Sequence, residues 1–542
     1  MASKKRTDLR APKGLGRDAY VAAYQELGSV QAVAKKFKVN RSVVQLSLKR
    51  AGVETDHEKL MGSLGGLKST KYEVPKTGVK RYIITAAQNN TKVNKVFWDR
   101  LNDLAGFYNA NIIVCPFTYS PQTSLTKVDE PWYDPEVQEF LVSDRIQLAP
   151  GLVLCAEVTR TLPTAVNPLS GYETYTGRAS SIFPHAKIAL QTIPSMKDEQ
   201  TKFMYTTGAV TKHNYSKTKA GFKGEFHHAY GALIVEVSAE GWWVRQLNAD
   251  SQNRIYDLDI CADEDGVTYG NTAAALVYGD FHAAEIDPEV LASTWSGDEA
   301  LVDFLQPEYQ ILHDFFDMRS RPWQDELSFH RQLEKHVKKQ ESVKDEIDEA
   351  HRMYVDYVHR DFAQSVFVRS NHDIKIEKWL NTADYRRDLI NAEFFLEAQL
   401  EKVRAIVNDV KRFNVFEWAM RLRGIPDNVI FLQEDDSFII CKNKGGGIEC
   451  GQHGHLGPNG SKGTPRGLAK MARKQFIGDK HSPCIVDGLY TVGTCTGRDV
   501  AYTRGPSSWS PTHGVAYENG KRALLTMWAG RFYAPRDNLP LA

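Results

Sequence analysis

Between residues 273 and 481 one layout recurs five times: a short apolar run ends abruptly in side chains that carry oxygen or nitrogen. Ala273 to Gly279 runs into Asp280-Phe281-His282. Tyr309 to Leu312 runs into His313-Asp314, with Asp317 three residues on. Val366 to Val368 precedes Asn371-His372-Asp373. Phe438 to Cys441 leads through a glycine-rich stretch to His453-Gly454-His455, and Phe476-Ile477-Gly478 leads to Asp479-Lys480-His481. Short apolar runs bounded by turn residues read as buried strands. Strands that end in polar residues place them along one edge of a sheet, which is where ligands of open α/β sheets sit. The predicted class is therefore α/β. Asp, Asn and His are donors that manganese, iron and zinc accept. Their separations are too long for a local zinc finger, so each donor must come from a different strand.

The residues themselves carry a resemblance. DFH, HDFFD, SNHD, HGH and GDKH, in that order, resemble the five motifs of the calcineurin-like metallophosphoesterases: D-x-H, G-D-x-x-D, G-N-H-D/E, a lone His and G-H-x-H. The resemblance covers about residues 270–500. It implies a metallophosphoesterase β-sandwich flanked by helices, with two divalent ions as cofactors. Carried over residue by residue, it puts Asp280, His282 and His481 on the first ion and Asp314 between the two. It puts Asn371 and His453 on the second ion, with His455 as the alternative to His453. His372 is then placed to protonate the leaving oxygen, and Asp373 to orient that imidazole. Two ions about 3.5–4 Å apart would activate water and neutralise phosphate charge.

The pattern is not followed everywhere. His313 and Ser370 stand where the family has glycine, which implies turns kept with some strain. Asp479 stands in place of the first histidine of the last motif. A carboxylate there hardens the second site and favours manganese or magnesium over zinc, with iron a further candidate. Asp317 suits either a helix cap or support of the site.

Charge is uneven along the chain. Lys plus Arg total 68 and Asp plus Glu 67, a net +1, so the whole chain is not a polycation. Residues 1–50 nevertheless hold twelve basic residues and three acidic ones, a local +9. Tyr20, Val21, Tyr24 and Leu27 recur at helical spacing, Val30 to Phe37 reads as a second helix and Arg41 to Arg50 as a third. Two short helices joined by a tight turn, the second one basic, make a helix-turn-helix. GSVQAVAKKFKVNRSVVQLSLKRAGV resembles that of regulators and recombinases. Arg41, Ser42, Gln45 and Lys49 would face DNA, and Lys4, Lys5 and Arg6 would follow its backbone or a minor groove.

The predicted domains are a helix-turn-helix module and linker over 1–72, an α/β domain over 73–265 and the phosphoesterase domain over 266–542. The phosphoesterase domain carries a helical insertion at about 321–425, whose segment 321–365 reads as one long amphipathic helix. These added helices suit dimerisation or substrate capping. Arg81 to Ala86, Val93 to Tyr108 and Ile112 to Pro116 read as one β-α-β unit. His227 and His228 read as strand residues facing opposite ways. TKHNYSKTKAGFK interleaves Lys212, Lys217, Lys219 and Lys223 with Tyr215 and Phe222, a composition suited to a nucleic-acid backbone and its bases. Seven cysteines with no CxxC argue against a disulfide scaffold or a cysteine zinc site, and fit a reducing cytoplasm. No window has the length and apolarity of a membrane span, so no membrane is expected as partner.

A two-metal phosphoesterase site joined to a basic helix-turn-helix points to DNA as substrate and partner. The SbcD-like nuclease branch is the nearest within the superfamily. HGHLGPNGSKGTPRGLAKM, GDKHSP and VGTCTGRDVAYTRGPSSW resemble phosphoesterases carried by tailed phages. The expectation is a homo-oligomeric metal-dependent DNase, similar to a phage enzyme that degrades host DNA in the host cytoplasm. The rivals are a phosphatase or small-molecule phosphodiesterase recruited to DNA, and a DNA-binding protein with a degenerate metal site.

Overall fold

The computed structural model describes residues 17–27, 30–39, 43–44, 47–48, 51–53, 69–72, 74–119, 132–322, 328–498, 500, 504–536 and 539. They fall into two compact units. The first lies within Met1–Thr272, Cys484–Asp487 and Tyr517–Ala542, and the second within Ala273–Pro483 and Gly488–Ala516. This differs from the predicted division, because residues 517–542 leave the phosphoesterase part and join the first unit. The pairing responsible is long-range: Leu524 N–H donates to the Gln246 side chain at 2.8 Å.

In the first unit, helices Arg17–Leu27 and Val30–Phe37 pack through Tyr20, Ala23, Tyr24, Val33 and Ala34, and Val44 and Leu48 join the same core. Arg41, Ser42, Gln45, Lys49 and the tail with Lys4, Lys5 and Arg6 lie outside the described residues. The expected β-α-β unit is present as strands Lys80–Gln88 and Asn111–Phe117, paired in parallel, with helix Lys95–Tyr108 between them. Asn94 caps the helix at Phe97 N–H, and Asn109 ends it in the left-handed region at φ 51°. Phe97, Trp98, Leu101, Leu104 and Tyr108 give it a buried face. Each such side chain contributes about 1.5–3 kcal/mol on burial. Strands Gly231–Val237 and Trp242–Asn248 extend this sheet to four strands. A second sheet in the unit runs from Ser69–Lys71 through to Cys484–Val486. His227 instead ends a helix, Lys219–His227, and His228 caps it, hydrogen-bonded to Thr211 O and to Tyr215. The expected strand begins later, at Gly231.

A charged cluster is sealed in this unit. The Arg245 guanidinium donates two 2.7 Å bonds to Asp257 and one of 2.6 Å to Glu236, which also takes Arg81. Arg245, Glu236 and Asp257 are all at most 2% exposed. Burial alone would push the Glu236 carboxyl up, but Arg245 and Arg81 hold it below the usual range. Replacing Arg245 by Leu removes the guanidinium from two buried carboxylates and leaves Glu236 with Arg81 and Asp257 with the Tyr108 hydroxyl. Loss of one partner of a buried pair costs about 3–5 kcal/mol, so Arg245→Leu is expected to unfold at clearly lower urea concentration than wild type. An unchanged midpoint would refute this assignment.

The second unit is built on two sheets. One has the order Ile430–Phe431, Gln364–Val368, Tyr309–His313, Ala275–Val277, Thr512–Ala516, with the first four parallel and the last antiparallel. The other has the order Leu489–Thr491, Lys474–Ile477, Ile448–Glu449, Ile439–Ile440. They meet where both are smallest: a Cβ at Gly514 would overlap the Phe476 ring, and one at Gly478 would overlap the Asp280 carboxylate. Asp280, Asp314 and Asn371 follow the carboxyl ends of three adjacent parallel strands, so they share one edge.

The segment expected as one long helix is broken. Helix Phe329–Lys338 stops at Lys339, in the left-handed region at φ 55°, and a new helix, Val343–Met353, starts from Ser342, whose hydroxyl caps Asp345 N–H at 3.1 Å. The Ser342 cap competes with a continuous helix and wins. Further helices are Lys375–Thr382, Ala392–Val407 and Val415–Leu422. Among the described residues, no helix is long and apolar enough to cross a membrane.

Candidate metal centre

Backbone bonds set the site before any side chain does. Phe281 N–H donates to His313 O and His282 N–H to Asp314 O, both at 2.8 Å, so the first two motifs lie side by side. Gly478 N–H donates to His453 O at 2.8 Å and joins the fourth motif to the fifth. His282, Asp314, Asp479 and His481 all sit at positive φ, at 49°, 49°, 64° and 53°. Left-handed backbone at a non-glycine residue is uncommon and concentrates at functional sites. His313 and Ser370 are not among these residues, so the expected strain is absent from both. Instead the Ser370 hydroxyl accepts from His372 N–H and Asp373 N–H and holds the turn.

One group of donors is Asp280, His282, Asp314 and His481, all buried, with ligand atoms within 4.8 Å of one another. His481 Nε2 lies 2.9 Å from Asp280 Oδ2, and His282 Nε2 lies 3.2 Å from His481 Nε2 and 3.7 Å from Asp314 Oδ2. A second group converges on His453 Nε2: Asn371 Oδ1 at 3.0 Å, Asp314 Oδ2 at 3.4 Å and Asp479 Oδ1 at 3.8 Å. Asp314 is shared by both groups. Asp479 is the weakest member, because its other oxygen is paired with Lys480. His455 does not enter. Its Nε2 meets Glu434 at 3.2 Å, whereas His453 is the one placed beside Asn371 and Asp314.

Both oxygens of Asp280 and Oδ1 of Asp314 are buried and accept no hydrogen bond. An uncompensated buried charge costs several kcal/mol. Buried carboxylates compensated by imidazoles alone are the environment a divalent cation satisfies, and the residues present fit one. Burial works against charging Asp280, yet His481 and then His453 hold its carboxyl below the usual range. Asp314 is held well below that range despite burial, by His372, His453 and His282. Burial would depress His282, but Asp317, then Asp314 and Asp280, push it up to about 9. Burial likewise opposes His453, and Asp314, Asp280 and Asp479 push it up to about 9.

These shifts fix the sign of a pH effect. Without metal, His282 and His453 keep protons well above the ordinary 6.5, up to about 9. Their charged pairing stabilises the metal-free fold fully below about 6.5 and is lost as pH rises through about 9. A metal must displace those protons. Affinity for a divalent metal is therefore expected to rise steeply from pH 6.5 to 9, with proton release on binding. Calorimetry in buffers of different ionisation enthalpy measures both, and a pH-independent affinity would contradict the ligand set.

Around this core sit groups that orient it. Asp317 Oδ1 lies 2.5 Å from His282 Nδ1 and 3.5 Å from His372 Nδ1. Of its two sequence readings, support of the site is the one realised. Asp373 does not orient His372 as expected. Its carboxylate takes Ser370 N–H at 3.2 Å, and burial raises it to about 6. The group on His372 is Lys375, whose ammonium lies 3.0 Å from Nδ1. Sequence reading missed Lys375, although its position three residues after His372, at a helix start, was a usable signal. It also missed Trp509, whose ring packs edge-on against His481 at 4.1 Å, and no local pattern marks it.

No family model matches the chain, and no solved structure matches it. The chain is 36% identical over 469 residues to Protein A1 of Escherichia phage T5, an alignment that covers 84% of this chain and 83% of that protein. An alignment of that length and identity shows common descent, and the chain therefore belongs to the family of phage T5 Protein A1.

Proposed function

We propose that the chain is a metal-dependent deoxyribonuclease that hydrolyses phosphodiester bonds of DNA, in the setting of a phage that degrades host DNA. The observation that carries this reading is the pair of buried carboxylates, Asp280 and Asp314, with unsatisfied oxygens facing His282, His453 and His481. We read the two sheets of the second unit as the calcineurin-like metallophosphoesterase sandwich. Asp280, His282, Asp314 and His481 would hold one divalent ion, and Asp314, Asn371, His453 and Asp479 the other. When bound, the two ions supply activated water and neutralise phosphate charge. The hard, carboxylate-rich donors favour manganese.

The protein's own groups do the remaining work. Asp317 accepts from His282 Nδ1, which leaves Nε2 free as the ligand atom. The Lys375 ammonium can only donate, so His372 Nδ1 accepts from it and a neutral ring carries its proton on Nε2. That proton is the one handed to the departing alkoxide. The +9 segment at residues 1–50 supplies affinity for the DNA backbone. Exposed Leu396, Leu400, Val403 and Val407 on helix Ala392–Val407 support self-association.

One observation favours a second reading. Lys480 competes for Asp479, which weakens the second metal position and suits a DNA-binding protein that does not cut. Purified protein with plasmid and linear DNA across manganese, magnesium, zinc and EDTA separates the two. Metal-dependent cutting supports the nuclease. A gel shift without cutting at any metal concentration selects the binder, and cleavage of bis-p-nitrophenyl phosphate alone selects a small-ester phosphodiesterase.

A further inference from the structure

In the first unit, helix Lys219–His227 is docked almost without side chains. Of its nine residues only Gly221 and Gly224 are buried. A Cβ at Gly221 would overlap the Ser216 carbonyl oxygen, and one at Gly224 would sit 3.3 Å from the Tyr215 ring. Thr218 caps the start, with its hydroxyl 3.2 Å from Gly221 N. Each glycine weakens a helix by about 1 kcal/mol relative to alanine, and a helix this short is not stable alone. Glycine here serves close approach and leaves Phe222 and Phe226 turned outward.

The outer face has a definite composition. Lys219, Phe222, Lys223 and Phe226 stand at i, i+3, i+4 and i+7, hence on one stripe. Phe222 is 59% exposed and Phe226 83%. No carboxylate among the described residues pairs with the ammonium groups of Lys217, Lys219 or Lys223. The helix's one carboxylate, Glu225, lies 3.6 Å from His213. Two phenylalanines in water contribute nothing to the core, and unpaired lysines flanking them select a polyanion over an apolar protein surface. The rings are four residues apart, about 6 Å along the axis. That is roughly twice the 3.4 Å rise of a stacked strand, so each ring has room for its own base.

We propose that this face binds single-stranded nucleic acid, with bases stacked on Phe222 and Phe226 and phosphates on Lys217, Lys219 and Lys223. A duplex hides the faces of its bases, so stacking selects the single strand. The proposal deepens the nuclease reading and rests on it for its choice of ligand. The test does not depend on hydrolysis, because it is run in EDTA.

Full-length protein is titrated against a fluorescent dT oligomer of about 20 nucleotides and against an abasic oligomer of equal length, with excess unlabelled duplex present. Phe222→Ala/Phe226→Ala is expected to weaken dT binding roughly tenfold or more and leave abasic binding unchanged. Lys219→Gln/Lys223→Gln is expected to weaken both and to reduce the salt slope by about 1.4, at roughly 0.7 per phosphate. Because these side chains are exposed, circular dichroism of all variants should match wild type. Wild-type dT affinity in the phenylalanine variant overturns the proposal. So does equal loss on both oligomers, and so does altered self-association with dT affinity intact, which would assign the face to a protein contact. Failure of the nuclease reading appears elsewhere, as metal-independent or absent cleavage, so the two remain distinguishable.

Discussion

Asp314→Ala is expected to abolish DNA cleavage and empty both metal positions. Asp314 is the one side chain shared by the two donor groups: its Oδ2 lies 3.4 Å from His453 Nε2 and 3.7 Å from His282 Nε2. Its Oδ1 is buried and accepts nothing from the protein. Metal-ion stabilisation of the reacting phosphate contributes several kcal/mol, so its loss corresponds to about a thousandfold or more in rate. Cleavage rate and metal content by mass spectrometry check this together. Wild-type cleavage by Asp314→Ala would show that the reaction takes place elsewhere.

His372→Ala is expected to keep its metals and slow DNA hydrolysis by roughly 10²–10⁴-fold, the usual contribution of a general acid. His372 is not part of the group Asp280, His282, Asp314 and His481, but it stands with His282 and Asp317 in a second cluster of metal-type donors, its ring 4.8 Å from that of His282. Its Nδ1 lies 3.0 Å from the Lys375 ammonium, which can only donate to it, so Nε2 is the proton-bearing atom. A p-nitrophenolate leaving group needs little protonation, so the defect should shrink on the activated ester. Equal defects on DNA and on that ester would remove His372 from the proton-transfer role.

What could be read in the sequence follows physical range. Strand-end motifs are local: an apolar run that stops at Asp280, at His313-Asp314 or at Asn371 states both the strand and its edge. The β-α-β unit at residues 80–117 is legible for the same reason, because its periodicities change from two to 3.6 and back within one segment. The break at Lys339 went unread because the Lys-Gln-Glu-Ser linker still looks helical, and Ser342 acts only once its hydroxyl finds Asp345 N–H. His228 looked like a strand residue because glycines at 221 and 224 disguise a helix that packs by close approach. The choice of Asp317 over Asp373 beside His372 depends on where two loops meet, which no spacing along the chain encodes. The same holds for residues 517–542, whose tie to Gln246 spans 278 residues.

We propose that two donor groups sharing Asp314, one of them fully buried, carry metal-dependent hydrolysis of DNA. The most direct measurement strips the protein with chelator, adds manganese back in steps, and records ions bound per chain and plasmid cut in the same samples. The stripped protein is expected not to cut, to bind two ions at saturation, and to cleave in proportion to their occupancy. Cutting by the metal-free chain, or two bound ions with no cleavage of DNA, would contradict it.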